Sequence, residues 1–258
     1  MSLLEVRDVS LRFGGVTALD RVSFSVERGE VFAIVGPNGA GKSTLFNLIS
    51  RFCEPAQGEV RFEGESILGR PASGIAALGI ARTFQNIELF EHSTVLENLL
   101  VGRHVRRRAD IVSQIVFTPA VRREEIAHRA AVERVIDFLD LQPYREQRIA
   151  GLPYGVRKMV EVGRALSIEP KLILLDEPAS GLSPEETTDM RFRIDDIRKR
   201  MGATVLMVEH DMGLVTAVSD RVLVLADGQV VTAGTPDEVR THPKVIEAWL
   251  GADAGEAA

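Results

Sequence analysis

The chain has 258 residues, 45% of them hydrophobic and 26% charged, which suits one large domain or two small ones around a buried core. A formal net charge of -6 disfavours a broad nucleic-acid surface, and the single cysteine, Cys53, excludes an internal disulfide and fits a reducing cytosol. Glu5 and Asp8 stand where a signal peptide needs an apolar run, and no apolar stretch approaches the roughly 18 residues that span a bilayer, so any membrane role is expected to come through a partner.

In chain order, LLEVRDVSLRF and VSFSVERGEV alternate apolar and polar residues and predict half-buried antiparallel strands, broken at Gly14-Gly15 and at Arg28-Gly29. The run from Val31 to Gly36 is continuously apolar, as in a strand covered on both faces, and KSTLFNLIS after it is helical. EVRFEGESI reads as a hairpin and LGIARTFQN as a short strand ending near Gln85. Thr94 and Glu97 form a capping box that opens the helix of VLENLLVG. From there to about Leu141 the pattern is helical, charged and poor in strands, predicting a helical subdomain. Strands return in KLILLDEP, TVLMVEH and RVLVLADGQVVTAG, where Asp227-Gly228 suits a tight hairpin turn. Ser183, Pro184 and Glu186 supply an N-cap, a first-turn proline and a capping glutamate. The tail GADAGEAA is predicted to be disordered. Buried strands alternating with helices indicate an α/β fold with a mainly parallel sheet, one helical insertion and antiparallel strands at the N-terminus.

The strongest chemical signal is Gly36-Pro37-Asn38-Gly39-Ala40-Gly41-Lys42-Ser43-Thr44, which satisfies G-x-x-x-x-G-K-[ST] between a buried strand and a helix. Glycines let backbone N–H groups turn toward phosphate oxygens, Lys42 reaches the β and γ phosphates, Ser43 ligates Mg²⁺, and the helix N-terminus favours negative charge. A second apolar strand ends in Asp176 and Glu177. Alone this is an ordinary polar exit into a loop; behind the phosphate-binding motif, Asp176 becomes a candidate for holding Mg²⁺ and Glu177 for activating water. His210 follows a third buried strand, at the edge where α/β folds place ligands. Gln85 carries little weight by itself.

The stretch GLPYGVRKMVEVGR, residues 151–164, brings glycine to the start of an amphipathic helix with no acid, thiol or histidine near it in sequence. It reads as turn punctuation or as half of an anion site whose other half lies elsewhere. Arg157 and Lys158 add positive potential there or form a solvated first helical turn.

In order along the chain, the motif at 36–44, Gln85, a helical stretch, Leu152-Pro153-Tyr154-Gly155-Val156, Asp176-Glu177 and His210 resemble the ATP-binding-cassette ATPases, and the resemblance covers essentially the whole chain. It implies a P-loop NTPase with a RecA-like, mainly parallel sheet, an N-terminal antiparallel β-subdomain and an inserted helical subdomain. The implied division is 1–85 and 166–250 for the nucleotide-binding core, 86–165 for the helical subdomain and 251–258 for a flexible tail. It implies ATP and Mg²⁺ as cofactors, with Lys42, Glu177, His210 and Gln85 catalytic, and Ser43, Gln85 and Asp176 on the metal. Phe13 looks like the aromatic that stacks on adenine, or is a core or edge residue of its strand. Residues 36–44 hold the phosphates, and Gly155 contacts the γ-phosphate of ATP on a second subunit.

The family's usual L-S-G-G-Q signature keeps only Leu152 and Gly155 here. Pro153 removes a hydroxyl donor and supplies no backbone N–H, leaving the N–H groups around Gly155 and the helix N-terminus. A differently weighted but functional signature is expected. Together with ARTFQN, NLLVGRH, DEPASGLSPEE and VIEAWLG, the L-[AP]-Y-G form looks like the ATPase subunits of branched-chain amino acid importers, particularly their first cassette type. Ser183 stands at the D-loop aspartate position. The implied partners are a second ATPase subunit, a membrane permease and, indirectly, a periplasmic or extracellular binding protein, without nucleic acid. The implied location is the cytoplasmic face of the membrane. Urea, amide or aromatic-acid import, lipopolysaccharide export and a soluble non-transport cassette are the alternatives. Arg103, Arg106, Arg107, Arg108, Arg122 and Arg123 read as the solvated face of a helical subdomain or as a surface near lipid headgroups.

Overall fold

Alternate residues of the uniformly buried strand Val31–Val35 part to opposite sides: Val31, Ala33 and Val35 join one hydrophobic core, Phe32 and Ile34 another. The same division runs through three neighbouring strands, which explains why their sequences are continuously apolar rather than alternating. The computed structural model describes residues 2–85, 87–107 and 118–245. The predicted tail at 251–258 and Arg108 lie outside the described residues.

The N-terminal strands β1 (Ser2–Phe13) and β2 (Val16–Glu27) pair antiparallel, with Phe13 opposite Val16 at the turn. Strand β3 (Val31–Val35) leads into helix α1 (Lys42–Ile49). Strands β4 (Gln57–Phe62) and β5 (Glu65–Ser66) form the expected hairpin and complete a sheet of order β2-β1-β4-β5. Helix α2 (Ala72–Leu78), which the pattern reading did not separate from its surroundings, precedes the three-residue strand β6 (Ile80–Arg82).

Helix α3 (Val95–Gly102) begins at the capping box of Thr94 and Glu97, both halves of which are made. Helix α4 (Pro119–Phe138) and helix α5 (Tyr154–Leu166) complete the helical stretch. Strand β7 (Leu172–Asp176) is followed by helix α6 (Pro184–Met201), whose Ser183–Glu186 capping box is also complete; such caps are worth about 1 kcal/mol each. Then come strand β8 (Thr204–Val208), helix α7 (Met212–Val218), strands β9 (Arg221–Ala226) and β10 (Gln229–Gly234), and helix α8 (Pro236–Arg240).

The second sheet has the order β10-β9-β3-β8-β7-β6. Its strands run parallel except β10, which returns antiparallel through Asp227 and Gly228, both at positive φ. One core lies between this sheet, α1 and the antiparallel sheet; the other joins its opposite face to α3, α4, α5 and α6. The strand order places the C-terminal ends of β3, β8, β7 and β6 side by side, where residues from four separate parts of the chain meet.

Candidate functional site

Residues 36–41 leave the end of β3 and return as the start of α1, with Gly41 as N-cap at φ 99°. The backbone closes on this loop from two sides. A Cβ on Gly36 would lie 2.0 Å from the Leu225 carbonyl oxygen, and one on Gly41 would lie 2.6 Å from that of Ala18, so neither position accommodates a side chain. The Asp227-Gly228 turn fastens the arrangement: Gly228 N donates to Ala40 O at 3.2 Å, and Asp20 N donates to Gly228 O at 2.8 Å. Pro37, Asn38 and Gly39 form the outer part of the loop, with Asn38 and Gly39 exposed.

Lys42 is buried in the first turn of α1, and its Nζ donates to Gly36 O at 2.7 Å and Pro37 O at 2.9 Å. Burial pushes its pKa down, and the charges of Glu177 and Asp176 oppose that shift. Ser43 is exposed beside it and Thr44 half-buried. Phe13 ends β1 and is 56% exposed, so it is no core residue; β2, its partner strand, is the one that packs Ala18 against Gly41.

Asp176 is the last residue of β7 and is buried; its Oδ2 accepts from Arg82 at 2.9 Å. Glu177 follows at φ 47°, unusual for a residue with a Cβ, and its N donates to Val208 O at 3.0 Å. The Gln85 amide donates from Nε2 to Glu177 Oε2 at 3.0 Å, which leaves its carbonyl oxygen for another partner. Gln85 does not end a strand as expected. Pairing stops at Arg82, and the chain continues as an irregular segment tied to β7 by Thr83 N on Leu174 O. His210 likewise stands two residues past the end of β8, exposed.

Among the described residues no group of three or more His, Cys, Asp or Glu side chains could hold a metal. The Ser43 hydroxyl, the Asp176 carboxylate and the Gln85 amide oxygen are all hard oxygen donors, a set that fits Mg²⁺ completed by phosphate and water rather than a thiolate- or imidazole-bound ion.

Helix α5 starts at Tyr154, with Pro153 in an extended N-cap conformation and no side-chain cap. Gly155 is glycine for a reason different from Gly41: its backbone is not at positive φ, but an added Cβ would lie 2.1 Å from Glu186 Oε1. That carboxylate is held by the capping box of α6, where Oε2 accepts from Ser183 N at 2.8 Å. An acid absent from the local sequence is therefore delivered by tertiary structure. Tyr154 spans the same junction, with its hydroxyl donating to Ser180 O at 3.3 Å and its ring against Gly181.

Two expectations about basic residues are corrected. Lys158 is not solvated but 1% exposed, because its position on α5 faces the core; its Nζ makes no hydrogen bond and lies 3.9 Å from Glu161 Oε2. Arg103 is buried too. It donates to Ser167 O at 2.8 Å, while Arg106 donates to Ile168 O at 2.9 Å and Glu169 O at 3.1 Å, so both satisfy carbonyls at the C-terminal end of α5. Arg107 pairs with Glu125, and Arg122 and Arg123 are exposed.

Three residues, two of them buried, went unnoticed in the sequence. Glu209, fully buried, accepts from Ala179 N at 2.8 Å, His210 N at 3.0 Å and Asp211 N at 3.3 Å, and so joins the segment after Glu177 to the one bearing His210. Glu161 accepts from Phe84 N at 2.9 Å, holding the approach to Gln85 onto α5. Arg82 reaches Asp176. An acid inside an apolar strand ending, as in VEH, and another on the core face of α5 were the available signals.

The ABC transporter family model matches residues 19–180, and that of the branched-chain amino acid ATP-binding cassette transporter matches residues 229–255. Over 252 residues the chain is 40% identical to the high-affinity branched-chain amino acid transport ATP-binding protein BraF of Pseudomonas aeruginosa, covering 96% of this chain and 98% of BraF. It is 37% identical over 252 residues to LivG of Escherichia coli, a protein described in the same words, with the same coverage of 96% and 98%. Among solved structures, an ATP-binding cassette of an ABC transporter in its ADP conformation superposes with a TM-score of 0.85 at 33% identity, covering 97% of this chain and 99% of that one. The nucleotide loop, the acids at the end of β7 and these full-length likenesses agree: the chain belongs to the ABC transporter family, as one of its ATP-binding, ATP-hydrolysing cassettes.

Proposed function

We propose that this chain is the ATP-hydrolysing subunit of an importer of branched-chain amino acids, working on the inner face of the membrane against a permease. The observation that carries the catalytic part is the convergence of Lys42, Asp176, Glu177 and Gln85 on the side where neighbouring parallel strands end, with Glu177 already held by Gln85 at 3.0 Å. The substrate class rests on the C-terminal match at 229–255 and on what BraF and LivG transport. No helix among the described residues is long and apolar enough to cross a membrane, in keeping with a permease supplied by other chains.

In the proposed reaction, Phe13 stacks on the adenine and the N–H groups of residues 36–44 surround the phosphates. Lys42 exchanges its two loop carbonyls for β and γ phosphate oxygens. Ser43, Asp176 and Gln85 hold Mg²⁺, which when bound neutralises charge on the β and γ phosphates. Glu177 accepts the proton of the attacking water as its oxygen bonds to the γ-phosphorus and the bond to the β-phosphate oxygen breaks, releasing ADP and inorganic phosphate. His210, oriented through Glu209, contacts the γ-phosphate. Gly155 offers its helix N-terminus to the γ-phosphate of a second subunit, homologous or identical. The division of 1–85 with 166–250 against 86–165 then separates the part that holds nucleotide from the part that presents this half-site and follows its closure.

The test is co-expression with the neighbouring genes and reconstitution with the permease and binding protein that co-purify. ATP-dependent uptake of labelled leucine into proteoliposomes supports the reading. Stimulation of hydrolysis by urea-, amide- or aromatic-acid-loaded binding protein instead, or co-purification with ribosomes or DNA and never with a permease, overturns it.

A further inference from the structure

The segment ARTFQN marks a subgroup in the sequence, but only its glutamine has a part in the proposed reaction. Its arginine occupies a built site. Arg82 is the last residue of the edge strand β6, and its side chain is only 10% exposed. One terminal nitrogen donates to Asp176 Oδ2 at 2.9 Å; the other donates to Asn47 Oδ1 at 2.8 Å, on α1, and reaches Ser50 Oγ at 3.4 Å, the residue that ends that helix. The guanidinium lies 5.5 Å from the centre of the Phe46 ring and 5.2 Å from that of Phe84, the residue before Gln85. The next residue, Thr83, takes the Asp176 backbone: Asp176 N donates to Thr83 Oγ1 at 3.1 Å.

We infer that Arg82 is a positioning residue for the metal-side carboxylate: bridging Asp176 Oδ2 to Asn47 on α1, it fixes the orientation of the carboxylate with Oδ1 turned free for Mg²⁺. Two features argue for this role over a plain buried ion pair. Arginine and carboxylate favour a two-pronged match, which satisfies both oxygens. Here the second prong goes to α1, and Oδ1 accepts no hydrogen bond among the described residues. The arrangement also ties the end of β7 to the helix that begins with Lys42 and Ser43, so the carboxylate and hydroxyl of one metal site are set at a fixed separation through a single side chain. Groups that orient metal ligands in this way typically govern metal affinity by about 10–100-fold.

The inference rests on Asp176 being the metal-side carboxylate, and the experiment separates the two. Binding of a fluorescent ATP analogue to the full chain is measured in EDTA and across a Mg²⁺ titration, for the parent, D176N, R82M, R82K and N47A. R82M is expected to bind the metal-free analogue within about twofold of the parent while its Mg²⁺ midpoint rises about tenfold. R82K, which reaches Asp176 but cannot hold Asn47 as well, and N47A, which keeps the Asp176 contact while freeing its far end, should fall between. A loss of Mg²⁺ dependence in D176N with unchanged midpoints in R82M and N47A overturns the inference alone. An unchanged Mg²⁺ response in D176N overturns the reading of Asp176 itself. A lower midpoint in R82M also overturns the inference, since Arg82 would then compete with the cation. If R82M does not fold, R82K and N47A decide: midpoints equal to the parent's reject the proposal, and raised midpoints with the fold intact support it.

Discussion

The starts of α1 and α5 share a local recipe, a glycine at a helix N-terminus followed by a buried lysine, and they use it in opposite ways. At α1 the glycine is demanded by backbone conformation and by backbone crowding from Ala18, and Lys42 is satisfied by two carbonyls it can release. At α5 the glycine is demanded by one side chain, Glu186, and Lys158 points to the interior beside Glu161 with no hydrogen bond of its own. Glycine at a helix start thus says that something comes close. What comes close decides whether the site can act alone: the lysine of the first helix start feels Asp176 and Glu177, whereas the acid at Gly155, Glu186, is tied up in the cap of α6.

The contrast is broken most severely at the lysines. K42M is expected to lower hydrolysis by at least about 100-fold and to weaken ATP binding, without loss of fold by circular dichroism. K158M should leave ATP affinity within about twofold, and an equal loss of nucleotide binding in both would show that the two lysines are not doing different work. Next in size, G155A is expected to cut hydrolysis by about 10–100-fold by pushing the Glu186 carboxylate off its cap, while ATP binding to the 36–44 loop stays intact. Nucleotide affinity measured beside turnover checks this.

The buried pair behind the signature sharpens the comparison through stability. E161Q leaves the Lys158 ammonium in the core without an acid and should cost about 3 kcal/mol in urea unfolding, whereas K158M/E161Q should return to within about 1 kcal/mol of the parent. Burial raises the Glu161 pKa above its ordinary 4.5, with Phe84 N, Lys158 and Arg164 opposing and Asp176 adding to the shift. A raised folded pKa means that the group's stabilising contribution is complete below the unfolded value and is lost as pH rises through the folded one. The double variant should therefore lose less stability than the parent over that rise, measured as urea midpoints against pH. The smallest effect is expected for P153S: hydrolysis unchanged or raised up to about threefold, since the hydroxyl adds a donor that the helix N-terminus already approximates. A collapse in turnover with the fold preserved would show that the proline conformation is itself required.

Much of the fold was legible because the signals were local. Continuous apolar runs marked the two-sided strands, Thr94 and Ser183 marked helix starts through their own capping glutamates, and Asp227-Gly228 marked its hairpin. The phosphate loop was legible for the same reason, since its geometry is written in consecutive residues 36–44. Helix α2 was missed because seven residues between a hairpin and a strand give too little periodicity to stand out. Arg103 and Lys158 were misread as surface because charge in sequence reports composition, not facing.

The sequence by itself determined most of the elements, the nucleotide loop and the order of the reacting residues, which depend on neighbours a few positions apart. Tertiary structure alone decided which acid meets Gly155, which cation holds Asp176 and which carboxylate fastens Ala179, beyond Glu177. Those contacts join residues 31, 94 and 30 positions apart, through side chains that pack or are satisfied only once the sheet has formed. A distant partner leaves no periodic trace in either segment, so its identity depends on how the strands and helices are stacked.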